Sequence, residues 1–194
     1  MKNLTLVAVI CLFAVGAWAA GPALELGDGM YVPRVKQTSE LCYDQYDNVS
    51  GNGGPSQDFE AAYDVYDCRH ADDITVTGGP LTVTEVHVQG TARGGVAGDT
   101  ANIVIWSGGP DGTPECGPYS LGPGDWNFLG GGYEFYLPEV CTLDDGTYWL
   151  MVQVQQDFAT KSQWFWSNST ATHGSESQWI NEGNGFGTGC TTWQ

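Results

Sequence analysis

The chain has 194 residues, enough for one domain once any leader is set aside. Its 23 acids face six bases, a formal charge of −17, which excludes nucleic acid as a partner because phosphate binding needs clustered Lys and Arg. Anionic membrane surfaces are disfavoured for the same reason, and many aromatics at low charge density exclude a disordered chain.

Lys2, a mostly apolar stretch from Leu4 to Val15 and then Ala17-Trp18-Ala19 have the layout of a signal peptide, cleaved after Ala19 or Ala20. The expected organisation is a leader over 1–20, a flexible lead-in over 21–40 and one domain over 41–194. The destination is extracellular, with the periplasm as the alternative. The apolar run is too short for a membrane span, and no longer one follows. Cys42, Cys68, Cys116, Cys141 and Cys190 lie beyond the leader, in a compartment that oxidises thiols. The preferred pairs are Cys42–Cys68 and Cys116–Cys141. Cys190 is then the odd thiol, able to displace Cys42 or Cys68 or to link two chains in self-association.

Tyr-Asp-x-Tyr-Asp occurs twice, at Tyr43-Asp44-Gln45-Tyr46-Asp47 and Tyr63-Asp64-Val65-Tyr66-Asp67. Cys42 precedes the first copy and Cys68 follows the second. If these cysteines pair, four aspartates and four tyrosines share one region. Ser50 to Gln57, between the copies, reads as a polar, Gly-rich loop.

Further on, the pattern is of short strands between turns. Leu81 to Gln89 reads as a strand whose apolar parity shifts near Glu85, the mark of a bulge. Ala101 to Trp106 is another. Gly108-Gly109-Pro110-Asp111-Gly112 is a turn. In Tyr133 to Leu137, Tyr133, Phe135 and Leu137 share a face. Asp144-Asp145-Gly146 is a second turn. Tyr148 to Gln155 then puts Tyr148, Leu150, Val152 and Val154 on one face. Gln163 to Ser167 puts Trp164 and Trp166 together. No segment beyond the leader keeps a helical apolar period for three turns. The fold class is all-β, a single antiparallel sandwich or barrel.

Gln57-Asp58-Phe59-Glu60, Ala71-Asp72-Asp73-Ile74-Thr75-Val76, Pro80 to Gly90, Gly146-Thr147-Tyr148-Trp149-Leu150 and Trp164-Phe165-Trp166 follow one another in an order that resembles exported bacterial β-sandwich domains of jelly-roll, galactose-binding-like type. The resemblance covers about residues 41–194, with Ile74 where the pattern favours Phe. It implies a jelly-roll sandwich, and the C-terminal anchor that some such proteins carry is missing here, so a freely released protein is expected. It implies little about activity, because the function of such domains is largely unassigned.

Two groups of residues could bind. Calcium takes six to eight oxygen ligands in irregular loops, and Asp44, Asp47, Asp58, Asp64, Asp67, Asp72 and Asp73 are candidate ligands. No EF-hand spacing is present. Sugars stack their C–H faces on exposed rings, so Trp164, Trp166 and Trp179, with Asn168 beside them, are candidates for a glycan platform. The competing role of such tryptophans is core packing. No HExxH or Gly-x-Ser-x-Gly is present, and His70, His87 and His173 are isolated. The expected function is a secreted, non-catalytic binding module for carbohydrate or cell-surface material, with calcium bracing acidic loops. A self-assembling surface protein is the second reading. A hydrolase built on a carboxylate pair is the third.

Overall fold

The structure, a computed structural model of the full chain, describes residues 4–5, 7–11, 40–45, 49–171 and 173–194. Most of the leader, and residues 21–39 of the lead-in, lie outside the described residues. The strands in chain order are β1 (Leu4–Thr5), β2 (Val7–Cys11), β3 (Glu40–Asp44), β4 (Val49–Pro55) and β5 (Gln57–Asp58). After a 3₁₀ turn (Ala61–Tyr66) come β6 (Arg69–Val76), β7 (Leu81–Val88), β8 (Gly90–Ala92), β9 (Thr100–Ser107), β10 (Thr113–Leu121) and β11 (Trp126–Leu129). The chain continues with β12 (Gly132–Leu143), β13 (Gly146–Gln155), the one-turn helix α1 (Phe158–Lys161), β14 (Trp164–Ser169) and β15 (Gln178–Ile180).

One sheet runs β10-β9-β13-β6-β15, with β5 parallel to the end of β13. A second runs β11-β12-β7-β2-β3, and a third β1-β14-β4 with β8 also on β14. All three line one apolar core, and the expected all-β sandwich is the fold. The first sheet contributes Ile74, Ile103, Leu150 and Val152, the second Val86, Val88 and Phe135, the third Trp164 and Trp166. Each fully buried aliphatic side chain contributes about 1.5–3 kcal/mol relative to exposure.

The alternation that predicted β13 also sets its two environments. Leu150, Val152 and Val154 point into the core. Met151 and Trp149 point outward, into a smaller cluster with Ala71, Val104, Trp106 and Trp193. The C-terminal residues thus cover the outer face of the first sheet. The Trp193 indole donates to Asp111 (2.7 Å) and its ring meets Trp106 at 6.1 Å.

The parity shift in β7 is a bulge. Glu85 pairs with Ile10 and Val83 with Cys11, which leaves Thr84 as the extra residue. The described pieces of the leader are both paired: Val7–Cys11 lies between β7 and β3, and Leu4–Thr5 lies against β14. Cleavage after Ala19 or Ala20 would take β1 and β2 out of these sheets.

The Gly-rich segment expected as a loop is instead strand β4. Gly53 and Gly54 answer to crowding rather than to turning. A Cβ on Gly53 would lie 2.5 Å from the Trp166 carbonyl oxygen, and one on Gly54 would enter the His70 imidazole. Only a residue without a side chain lets β4 lie against β14 here. Strand β10 holds Pro114 and Pro118, which remove ladder donors; it is an edge strand with two register shifts, where proline is tolerated.

Cys116 on β10 and Cys141 on β12 form a disulfide with Cα atoms 5.8 Å apart, as expected, and it ties the first sheet to the second. Closing a loop over a separation of 25 residues contributes about 3.5 kcal/mol in the chain-entropy account.

Candidate functional site

The chain between β5 and β6 carries the second Tyr-Asp-x-Tyr-Asp copy and folds as the 3₁₀ turn. The Tyr63 N–H donates to the Glu60 carbonyl (2.7 Å) and the Asp67 N–H to the Asp64 carbonyl (3.0 Å). The Asp67 carboxylate closes the segment by accepting from the Phe59 N–H at 2.8 Å. Glu60 reaches the other way. Its carboxylate accepts from the Phe158 and Ala159 N–H groups (2.6 and 3.3 Å). It therefore takes over the start of α1, where Asp157 makes no side-chain cap. This bond sets Phe158 beside Phe59 and Tyr63, almost a hundred residues away in the chain.

A third segment completes the wall. Asn181, buried at the end of β15, donates to the Val65 and Asp67 carbonyls (both 2.8 Å) and accepts from the Phe186 N–H (3.2 Å). The Gly185 N–H also reaches the Val65 carbonyl (2.8 Å). Phe186 is thereby held edge-on to Tyr66 at 5.2 Å.

The result is a row of aromatic rings. Trp179 meets Phe186 at 5.8 Å, Tyr63 meets Tyr66 at 6.1 Å, and Tyr63 meets Phe158 at 5.6 Å. Phe59 sits behind, 6.3 Å from both Tyr66 and Phe158. Phe59, Tyr63, Tyr66, Phe158, Gln163 and Phe186 line an open cleft of about 280 Å³. Tyr63 is 37% exposed and Phe158 43%, so rings at the mouth face solvent.

A second cleft, of about 380 Å³, lies against the same turn. Asp58, Asp64, Asp67 and Glu182 line it, with Arg69, Gln153 and Cys68. Partial burial, and then the charges of Asp58, Asp64 and Glu182, push the Asp67 carboxyl up to about 6 against the opposing Phe59 hydrogen bond. Asp58 is raised by burial and by Asp64. The one base in the wall is already engaged: Arg69 donates to both carboxylate oxygens of Asp111 (2.8 and 3.2 Å) and to Glu182 (2.6 Å).

The seven aspartates do not form one set. Asp58, Asp64 and Asp67 share the acidic cleft, Asp44 is exposed on β3, and Asp47 lies outside the described residues. Asp72 and Asp73 are buried in β6, where successive side chains point to opposite faces. Among the described residues, no group of three or more His, Cys, Asp or Glu side chains is placed to hold a metal ion.

Among the described residues, the two motif copies do not meet. Cys68 is a free, buried thiol, so the expected Cys42–Cys68 bond is absent. The cause is distance. Tyr43, next to Cys42, reaches the Asp73 carbonyl (3.5 Å) partway along β6, five residues on from Cys68, which precedes the first residue of that strand. Five residues of strand span about 16 Å, and a disulfide needs Cα atoms roughly 4.4–6.8 Å apart. Cys190 does not replace Cys42. Its carbonyl accepts from the Asn181 N–H (2.8 Å), which places it across β15 from β6, about two strand spacings or 10 Å from Cys68. Cys190 is likewise free.

The tryptophan platform is corrected as well. Trp164 and Trp166 are fully buried, and Asn168 is buried with them; no sugar can stack on a ring closed inside the sandwich. The Trp164 indole donates to the Gly131 carbonyl (2.7 Å), and Trp166 faces His70 at 5.9 Å. Only Trp179 joins the aromatic row, with its N–H donating to the Pro55 carbonyl (2.7 Å). His70 is a core residue, its Nε2 3.1 Å from the Ser177 hydroxyl. Burial lowers its pKa to about 4, against a smaller opposing effect of Gly54.

No family model matches the chain, and no curated protein or solved structure does either. Among the described residues, no helix is long and apolar enough to cross a membrane.

Proposed function

We propose that this chain is a non-catalytic, exported binding module that takes carbohydrate on the aromatic cleft beside the 3₁₀ turn. The observation that supports it is the row of rings with solvent-facing members, Tyr63 and Phe158, around an open cleft of about 280 Å³. That volume is just below the usual range of small-molecule sites, about 300–1,000 Å³, and suits a short stretch of a polymer. Exposed ring faces accept sugar C–H faces, and a Gln amide beside them can both donate to and accept from hydroxyls. The rings come from three separate segments locked by Glu60 and Asn181, so the cleft is pre-formed and little ordering opposes binding. The reading rests on the rings and not on a metal ion.

Affinity electrophoresis in gels cast with a broad range of soluble polysaccharides tests it. At least one polysaccharide is expected to retard the protein. The Tyr63→Ala/Phe158→Ala variant is expected to bind at least tenfold more weakly, a loss of about 1.4 kcal/mol, with its melting temperature little changed. A flat response across the range, or full retention of binding by the double variant, would overturn the proposal.

A further inference from the structure

We infer that the oligosaccharide taken by the aromatic cleft carries free amino groups, that is, a cationic amino sugar; the inference rests on the carbohydrate reading above. The aromatic and acidic clefts share one wall. Along the 3₁₀ turn, Tyr63 and Tyr66 face the first cleft, while Asp64 between them and Asp67 just after them line the second. Phe59, behind the rings, is flanked in sequence by Asp58 and Glu60. A ligand lying across the turn therefore meets rings and carboxylates together.

Both halves favour positive charge. Ring faces attract an ammonium group through the negative face of the ring's quadrupole. Carboxylates in a partly buried cleft attract it more strongly than they would in open water. Arg69, the one base in the wall, pairs with Glu182, and among the described residues Asp58, Asp64 and Asp67 have no ion pair with a base. Arg69 also pairs with Asp111, and Lys161, at the end of α1, is paired with Asp99 at 2.6 Å. The chain as a whole carries −17, which raises the local concentration of a cation and repels acidic polysaccharides.

Two oligosaccharides of equal length test the inference: a glucosamine hexamer and an N-acetylglucosamine hexamer, titrated calorimetrically at pH 6 in low salt. The glucosamine hexamer is expected to bind at least tenfold tighter and to weaken severalfold in 0.5 M NaCl. The Asp58→Asn/Asp64→Asn variant, with its melting temperature checked, is expected to lose about tenfold for the glucosamine hexamer and to leave the acetylated one unaffected. Equal or tighter binding of the acetylated hexamer would overturn the amino-sugar assignment while upholding carbohydrate binding. Unchanged affinity in the variant would do the same. A lysine hexapeptide that binds as tightly as the glucosamine hexamer would show charge recognition without sugar recognition, and would also overturn it. Failure of both hexamers together with the wider polysaccharide range would bring down the carbohydrate reading itself.

Discussion

Replacing Asp72 with Asn is expected to raise the melting temperature at pH 8 by on the order of 10 °C and by clearly less at pH 5, where only a small part of the contribution has been lost. Burial, and then the charge of Asp73, push the Asp72 carboxyl up to about 8, although its oxygen accepts from the Asp73 N–H at 3.1 Å. An unfolded chain releases this proton near pH 3.8. Between the two values the native state holds one proton more, so stability falls as pH rises, by about 1.4 kcal/mol per pH unit. The contribution is fully present below pH 3.8 and lost as pH passes 8. Two other groups act in the same range. Asp67, raised to about 6, has the same sign, reduced by its solvent exposure. His70, lowered to about 4, has the opposite sign and adds stability as pH rises from 4 to 6.5. From pH 6.5 to 8 Asp72 dominates, and the wild type is expected to lose stability there while the Asn variant does not. Melting curves of both proteins at half-unit pH steps check this. Parallel profiles would show that Asp72 is ionised in the native protein.

Trp164→Ala is expected to cost about 3–5 kcal/mol, a large part of the total stability of about 5–15 kcal/mol. The ring is fully buried, meets Tyr133 at 5.8 Å, and leaves no room for a Cβ on Gly90. Truncation opens a cavity and strands the Gly131 carbonyl that its indole now satisfies. Trp164→Phe fills most of the space and is expected to cost less than half as much. Urea unfolding of the two variants measures the difference. If Trp164→Ala were as stable as wild type, the third sheet would not pack as described.

The sequence conveyed the sandwich because period-two alternation follows directly from which face is buried. It was clearest in β13, where Leu150, Val152 and Val154 alternate with Met151 and Gln153. It failed where a strand obeys another constraint. β4 has glycine at three of its seven positions and no apolar alternation, and at Gly53 and Gly54 Trp166 and His70 occupy the space a side chain would need. β6 places Asp72 and Asp73 in strand interior, where composition suggests a loop. Alternation also places Trp164 and Trp166 on one face without saying whether that face is covered. Here Tyr133 of the second sheet meets Trp164 and His70 of the first sheet meets Trp166, and the tryptophans are core.

The site was half legible. The second Tyr-Asp-x-Tyr-Asp copy holds Asp64 and Asp67 with Asp58 in one cleft. Its partners Phe158, Phe186 and Glu182 bear no local pattern. They are brought to the turn by Glu60 accepting from the start of α1 and by Asn181 bonding the Val65 and Asp67 carbonyls. Those contacts are made only once the sandwich has formed. The pairing of Cys42 with Cys68 misled for the same reason, since Tyr43 beside Cys42 docks at Asp73, five extended residues away from Cys68.

The most direct test of the cleft as the binding site is backbone amide NMR during titration with the tightest-binding oligosaccharide. The account predicts shifts that saturate and cluster at residues 58–67, 157–163 and 182–186, around the ring row. Shifts clustered on another face of the sandwich, with these three segments unmoved, would contradict it.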